Sequence, residues 1–185
     1  IEKFLPELIN KYKDTEFTLS ISLDGPKDIH DKVRIFEGAY KKALETIDIM
    51  KDYRKHENFF LKLASVLTKD NVSYMEKFLE ETSKWSIDFH ELILIRDCPV
   101  EEQLIVKDEF ERLNKIQHQR TSSSFKRSFN GKLFKKLYTE TIKRIDSNKV
   151  YSPCLAGGRF VEIFPDGKVR GCEVEKLWDI STIGT

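Results

Sequence analysis

Apolar and polar residues alternate from Phe17 to Asp24: Phe17, Leu19, Ile21 and Leu23 fall on one side, Thr18, Ser20, Ser22 and Asp24 on the other. A two-residue period is that of a strand, and Asp24-Gly25-Pro26 ends it as a turn signal. The pattern recurs twice. Phe59 to Thr68 sets Phe59, Leu61, Leu63 and Leu67 against Phe60, Lys62, Ala64, Val66 and Thr68; Phe89 to Arg96 sets Phe89, Ile93 and Ile95 against His90, Leu92, Leu94 and Arg96. The stretches between carry a helical period. Ile1 to Lys13 spaces Phe4, Leu5, Leu8, Ile9 and Tyr12 for a first helix. Residues from about Ala39 to Arg54 give a second, and Ser73 with Glu76 reads as a capping box opening a third that carries Met75, Phe78, Leu79 and Trp85. Lys27 to Gly38, with His30, Asp31 and Arg34, reads as a polar connection. Strands and helices alternating through short links predict right-handed βαβ units, hence a parallel sheet or part of a barrel.

Further along, Glu101 to His118 and Lys132 to Ile145 read as amphipathic helices, joined by a Ser-rich basic connection from Gln119 to Gly131 in which Ser122-Ser123-Ser124 is the expected mobile point. Phe160 to Phe164, Pro165-Asp166-Gly167 and Lys168 to Glu173 read as a hairpin. Three regions result: an α/β part over residues 1–100, a helical connection over 101–148 and a β part over 149–185.

A strand face of hydroxyls that ends in a carboxylate at the C-terminal end of a parallel sheet belongs in a pocket, since such folds do their chemistry at that end. Lys62, His90 and Arg96 are assigned to the same inward face, as candidates for substrate contact or proton handling. Cys154 and Cys172 bracket the hairpin and can present two thiolates to one metal, two short of the usual four ligands. A disulfide across the hairpin, contributing about 3 kcal/mol, or two inert buried thiols are the alternatives. Cys98, just after the third strand, reads as an ordinary thiol.

Composition removes several classes of function. The 185 residues carry 32 Lys and Arg against 31 Asp and Glu, a net charge of +1, so no overall field favours nucleic acid or a membrane surface. The local basic run from Arg120 to Lys136, interleaved with Phe125, Phe129 and Phe134, reads as a loop entering an amphipathic helix rather than as a nucleic-acid surface. No apolar run approaches the roughly 20 residues of a membrane span and no signal peptide is visible, so a cytoplasmic location is expected. Opening on Ile1 and ending without a closing element, the chain is expected to be an internal piece of a longer protein.

Two segments resemble a known family. Ser20-Ile21-Ser22-Leu23-Asp24-Gly25-Pro26, then Ile29-His30-Asp31 and Arg34, then Val66-Leu67-Thr68-Lys69-Asp70-Asn71 resemble the fourth and fifth strand regions of radical S-adenosylmethionine enzymes. Cys154-Leu155-Ala156-Gly157 through Pro165-Asp166-Gly167-Lys168-Val169-Arg170-Gly171-Cys172 resembles the opening of the SPASM or twitch extension of such enzymes. Twelve residues separate Cys154 from Gly167 and four separate Gly167 from Cys172, which is the spacing that begins an auxiliary iron–sulfur site there.

The resemblance implies the C-terminal half of a partial (β/α)6 TIM-like barrel, followed by helices and a β-hairpin that begins a SPASM/twitch domain. It implies S-adenosylmethionine held against a [4Fe–4S] cluster, fed by an external electron donor, that cleaves it to a 5′-deoxyadenosyl radical acting on a peptide or protein substrate. By position Ser22 would contact the ribose, Arg34 the methionine carboxylate and the backbone near Val66 the adenine, while Asp24 shapes the rim; Cys154 and Cys172 would be ligands of an auxiliary [4Fe–4S] cluster. The family's CxxxCxxC loop and its glycine-rich second-strand motif do not occur in these residues. Both lie upstream of the fourth strand, so the chain is expected to be inactive alone. A non-catalytic peptide-binding module and a small zinc-stabilised domain are the competing readings.

Overall fold

The computed structural model describes residues 4–95, 100–147, 162–163 and 169–170. Helix α1 (Leu5–Lys11) leads into β1 (Phe17–Ser22), α2 (Lys27–Arg34), α3 (Ala39–Met50), a 3-10 turn (Lys51–Lys55), β2 (Phe59–Leu67), α4 (Val72–Thr82), β3 (Phe89–Leu94), α5 (Val100–Arg120), α6 (Ser123–Arg127) and α7 (Phe129–Ser147). The strands form one parallel sheet in the order β1-β2-β3. It is an open sheet and not a closed barrel. A separate antiparallel pair, β4 (Glu162–Ile163) with β5 (Val169–Arg170), lies where the hairpin is expected.

One face of the sheet is the core. Ile21 of β1 with Leu23 just after it, Leu61, Leu63 and Leu67 of β2 and Leu92 and Leu94 of β3 pack against Ile9 of α1, Ile47 and Met50 of α3, Met75, Phe78 and Leu79 of α4 and Val106, Phe110 and Leu113 of α5. Burying a side chain of this size fully is worth about 2 kcal/mol, so this face fixes strand register. A slip of one residue would turn every such side chain to the other side.

Among the described residues, the opposite face is covered only at the N-terminal ends of the strands. There Phe60 and Phe89 meet Phe125 of α6 at ring distances of 5.3 and 5.1 Å, and Phe134 of α7 closes the cluster. Toward the C-terminal ends the same face is open: Ser20 and Ser22 are exposed, and Ala64, Val66 and Ile93 are half-buried.

Several elements depart from the sequence expectation. Lys27 to Gly38 contains a helix, α2, set by its ends more than by an apolar stripe. Pro26 precedes it, Asp28 sits in the first turn, Lys32 and Arg34 in the last, and Ile35 stops it in the left-handed region at φ 51°. Ser73 lies inside the first turn of α4 and caps nothing, because the N-cap position is Asn71, whose side chain is committed to the sheet. Ser122 to Ser124, expected as a loose connection, instead forms the start of α6. Ser122 caps α6 by accepting the Phe125 N–H at 3.3 Å, while its own N–H donates to the Asp88 carbonyl at 3.0 Å.

Helix α7 begins at Phe129 rather than Lys132 because acceptors await its first N–H groups. The Glu16 carboxylate takes those of Phe129 and Asn130, at 3.0 and 3.2 Å, and the Ser128 hydroxyl takes that of Gly131 at 2.9 Å.

Candidate functional site

At the C-terminal end of the sheet, Leu23 N–H still donates to the Ala64 carbonyl at 2.9 Å, and the chain then leaves β2 through Asp24-Gly25-Pro26. Gly25 is required at this corner. Its φ is 142°, and a Cβ there would lie 3.2 Å from Cγ2 of Ile29.

Asp24, 1 % exposed, is the centre of the corner. Its Oδ1 accepts the Val66 N–H at 3.0 Å, and Nη2 of Arg34, at the end of α2, stands 2.8 Å from Oδ2. The Asp24 N–H donates to Nδ1 of His30 at 3.0 Å. The same nitrogen lies 3.6 Å from Oδ2. Burial works to raise the Asp24 carboxyl, but the His30 side chain, the Val66 amide and the Arg34 guanidinium outweigh it and hold the group below the usual carboxylate value. Asn71, fully buried, ties the corner to β2: it donates to the carbonyls of Asp24 and Val66, at 2.9 and 2.8 Å, and accepts the Thr68 N–H at 2.8 Å.

The hydroxyls of Ser20 and Ser22 lie on the open face, in register with Lys62 and Ala64 of β2. Lys62 is there as expected, but it neither reaches solvent nor stands free. Its ammonium is 2.5 Å from Oε2 of Glu91 and 3.9 Å above the Phe134 ring.

His90 was expected beside Lys62, and the structure corrects this. Register sets Phe89 opposite Lys62, Glu91 opposite Ala64 and His90 opposite Leu63, so His90 points into the helix-covered core and Glu91 takes the inward place. The imidazole is completely buried. Its Nε2 lies 2.7 Å from Ser65 Oγ, its Nδ1 lies 2.9 Å from Thr82 Oγ1, and Ser65 Oγ donates onward to the Leu23 carbonyl at 2.5 Å. Because Ser65 spends its hydrogen on Leu23, Nε2 must be the donor to Ser65 and Nδ1 the acceptor from Thr82. Burial drives the imidazole down to about 3, which keeps it neutral.

Arg96, Cys98, Cys154 and Cys172 lie outside the described residues. Among the described residues no three His, Cys, Asp or Glu side chains converge as a metal site, and no helix is long and apolar enough to cross a membrane.

The residues that could hold an organic cofactor are those of the open face and its rim. Ser22 offers a hydroxyl with no protein partner among the described residues. Arg34 offers a guanidinium whose side chain is 40 % exposed. Val66 offers its side chain, since its N–H and carbonyl are taken by Asp24 and Asn71. This donor set suits a ligand with sugar-like hydroxyls and a carboxylate. Asn71, Ser65 and Glu91 are the participants that sequence reasoning missed. Asn71 carried a signal, as the last residue of the Thr68-Lys69-Asp70-Asn71 turn.

Residues of this chain are similar to the cysteine-type anaerobic sulfatase-maturating enzyme of Clostridium novyi (strain NT), with 29 % identity over 85 residues, 44 % of this chain. The matched stretch spans 22 % of that enzyme's length. No family model matches the chain, and no solved structure matches it.

Proposed function

We propose that this chain is the later part of a radical S-adenosylmethionine enzyme, comprising the C-terminal half of its partial barrel and the start of a SPASM or twitch extension, and that the intact protein modifies a peptide or protein. The observation that carries the reading is the open, hydroxyl-bearing face of a parallel sheet, with buried Asp24 paired to the partly exposed Arg34 at its C-terminal rim. Parallel sheets are covered on both faces, so this face calls for a further layer, and the remaining strands of a barrel would supply it. The similarity to an anaerobic sulfatase-maturating enzyme, a radical S-adenosylmethionine protein with a SPASM region, supports the same assignment.

In this reading Ser22 meets the ribose, Arg34 the methionine carboxylate and Val66 the adenine, with Asp24 orienting Arg34. Cys154 and Cys172 contribute to an auxiliary iron–sulfur cluster. The bound cofactor and its cluster would supply a hydrogen-abstracting radical on reduction by an external donor, while the chain's own residues hold the nucleoside. A cytoplasmic location belongs to the same proposal, because such clusters need reducing conditions.

The test is anaerobic purification of the intact protein, with iron and zinc analysis and measurement of 5′-deoxyadenosine after reduction in the presence of S-adenosylmethionine. Iron, together with nucleoside release that falls about tenfold or more in Ser22→Ala and Arg34→Gln, is the expected result. Zinc without iron, or iron content unchanged by Cys154→Ala and Cys172→Ala, would overturn the cluster assignment. Full activity in Arg34→Gln would overturn the rim assignment.

A further inference from the structure

The basic, aromatic run that the sequence sets apart folds into a pocket distant in character from the rim, and nothing in the radical-enzyme reading uses it. Its volume is about 330 Å³, enclosed where the C-terminal half of α5, α6 and the first turns of α7 meet the start of β3. That is the low end of the range of small-molecule sites. Gly131 makes the enclosure possible, since a Cβ there would fall 1.9 Å from the Phe125 carbonyl oxygen and push α7 off α6.

One wall is flat. Phe89 stacks on Phe125 at 5.1 Å with the rings 20° apart, and Phe125 stacks on Phe134 at 5.9 Å and 26°. The charged side chains of the lining are of one sign: Lys115, Lys126, Lys135 and the titratable His118, with no carboxylate among them. Glu111, the acid nearest in sequence on α5, is engaged with Lys107 at 3.4 Å, and its charge also reaches the Tyr138 hydroxyl of the lining. Burial first, and then the charges of Lys126 and Lys135, hold the His118 imidazole below its ordinary value, which marks these lysines as converging on the same space. Asn114, Gln119 and Thr139 add neutral hydrogen-bonding groups.

We infer that this pocket binds a small organic anion with an apolar body, that body lying against Phe89 and Phe134 and its carboxylate at Lys115 and Lys135. The inference stands apart from the proposed radical chemistry and survives its failure. An anion placed among these lysines gains from their charge, while its apolar body gains the aromatic side of the hollow. A neutral aromatic gains only the second term, so charge decides selectivity.

Calorimetric titration of the intact protein with 2-naphthoate and with its neutral counterpart 2-naphthamide at low salt tests this. The expected result is saturable one-to-one binding of the acid, with the amide about tenfold weaker, and an equal loss of acid binding in Lys115→Gln/Lys135→Gln. The control pair Lys13→Gln/Lys41→Gln should bind like the parent. Equal binding of acid and amide, an equal loss in the control pair, or no binding up to about 5 mM acid would overturn the assignment.

Discussion

His90 makes a prediction that can be worked through to a number. The imidazole is wholly buried and its ordinary value of 6.5 is lowered to about 3, so between those limits the unfolded chain binds a proton that the folded chain refuses. Stability is therefore complete above about pH 6.5 and is lost as the pH falls toward 3, at about 1.4 kcal/mol per pH unit in the middle of the window. From pH 7 to pH 5 the loss from this one residue comes to about 2 kcal/mol. The cause is desolvation rather than missing partners. When Nδ1 gains a proton, Thr82 can turn its own hydrogen to the Leu79 carbonyl, 3.3 Å away, and accept from the ring, so the hydrogen-bond count is kept while a charge is stranded in the core.

The variant His90→Gln keeps a donor within reach of Ser65 but cannot take up a proton. It should lower stability at pH 7 by about 1 kcal/mol, through the weakened contact with Thr82, yet lose about 2 kcal/mol less than the parent between pH 7 and pH 5. Urea unfolding of both proteins at the two pH values gives the four numbers required. Parallel pH dependence in parent and variant would refute the argument, because it would mean that the ring already reaches water in the folded state.

Asp24→Asn keeps an acceptor for the Val66 amide but removes the charge facing Arg34; the half-exposed guanidinium limits the cost to about 2 kcal/mol. Because the Asp24 carboxyl lies below its ordinary 3.8, its contribution is complete above that pH and lost only below it. The variant should therefore parallel the parent between pH 7 and pH 5 and flatten the stability curve below about pH 4, and a double-mutant cycle with Arg34→Gln isolates the pair. At the other end of the sheet, Asp88 accepts two hydrogen bonds from Arg54, at 2.9 and 2.8 Å, and the Leu61 N–H at 2.9 Å. Asp88→Ala should cost about 3 kcal/mol by urea unfolding, whereas a loss under 1 kcal/mol would show that the pair contributes nothing beyond surface charge. Residues 1–185 expressed alone should self-associate in analytical ultracentrifugation, since β1 and β3 are both edges and the Ser22 face is uncovered; a monomer with a sharp cooperative melt would contradict this.

The parts of this fold that were legible in the sequence are those governed by local period. β1, β2 and the paired arms of the hairpin follow from alternation and turn residues, and α3, α5 and α7 from helical spacing. What was missed depended on distant partners. Helix α7 starts early because Glu16, more than a hundred positions away, meets its first amides. Ser122 is ordered by Asp88, and Asn71 is drawn from capping duty by the carbonyls of Asp24 and Val66. The parity of β3 was misread for a related reason. Isoleucines alternate with leucines along it, so both faces look apolar and only the pairing of Phe89 with Lys62 shows which is which. A histidine on either face of such a strand is uninformative until register is known.

That inversion of parity joins the two ends of the argument about β1. With His90 on the core side, its Nε2–H supports Ser65, Ser65 supports the Leu23 carbonyl, and Asn71 supports the next carbonyl at Asp24. The carbonyls of the two residues that follow β1 are thus held by Ser65 of β2 and by Asn71 at the start of α4, beyond the point where ladder pairing to Ala64 ends. A strand end without such support frays, and a frayed corner could not keep Asp24 fixed between Val66 and Arg34. The core hydrogen-bond chain and the rim ion pair therefore belong to one device: the first sets where the backbone turns, and the second sets where the Arg34 charge is presented. If this is right, His90→Gln should perturb the environment of Arg34 without touching it, whereas Asp88→Ala, at the opposite end of the strands, should lower stability while leaving that environment unchanged.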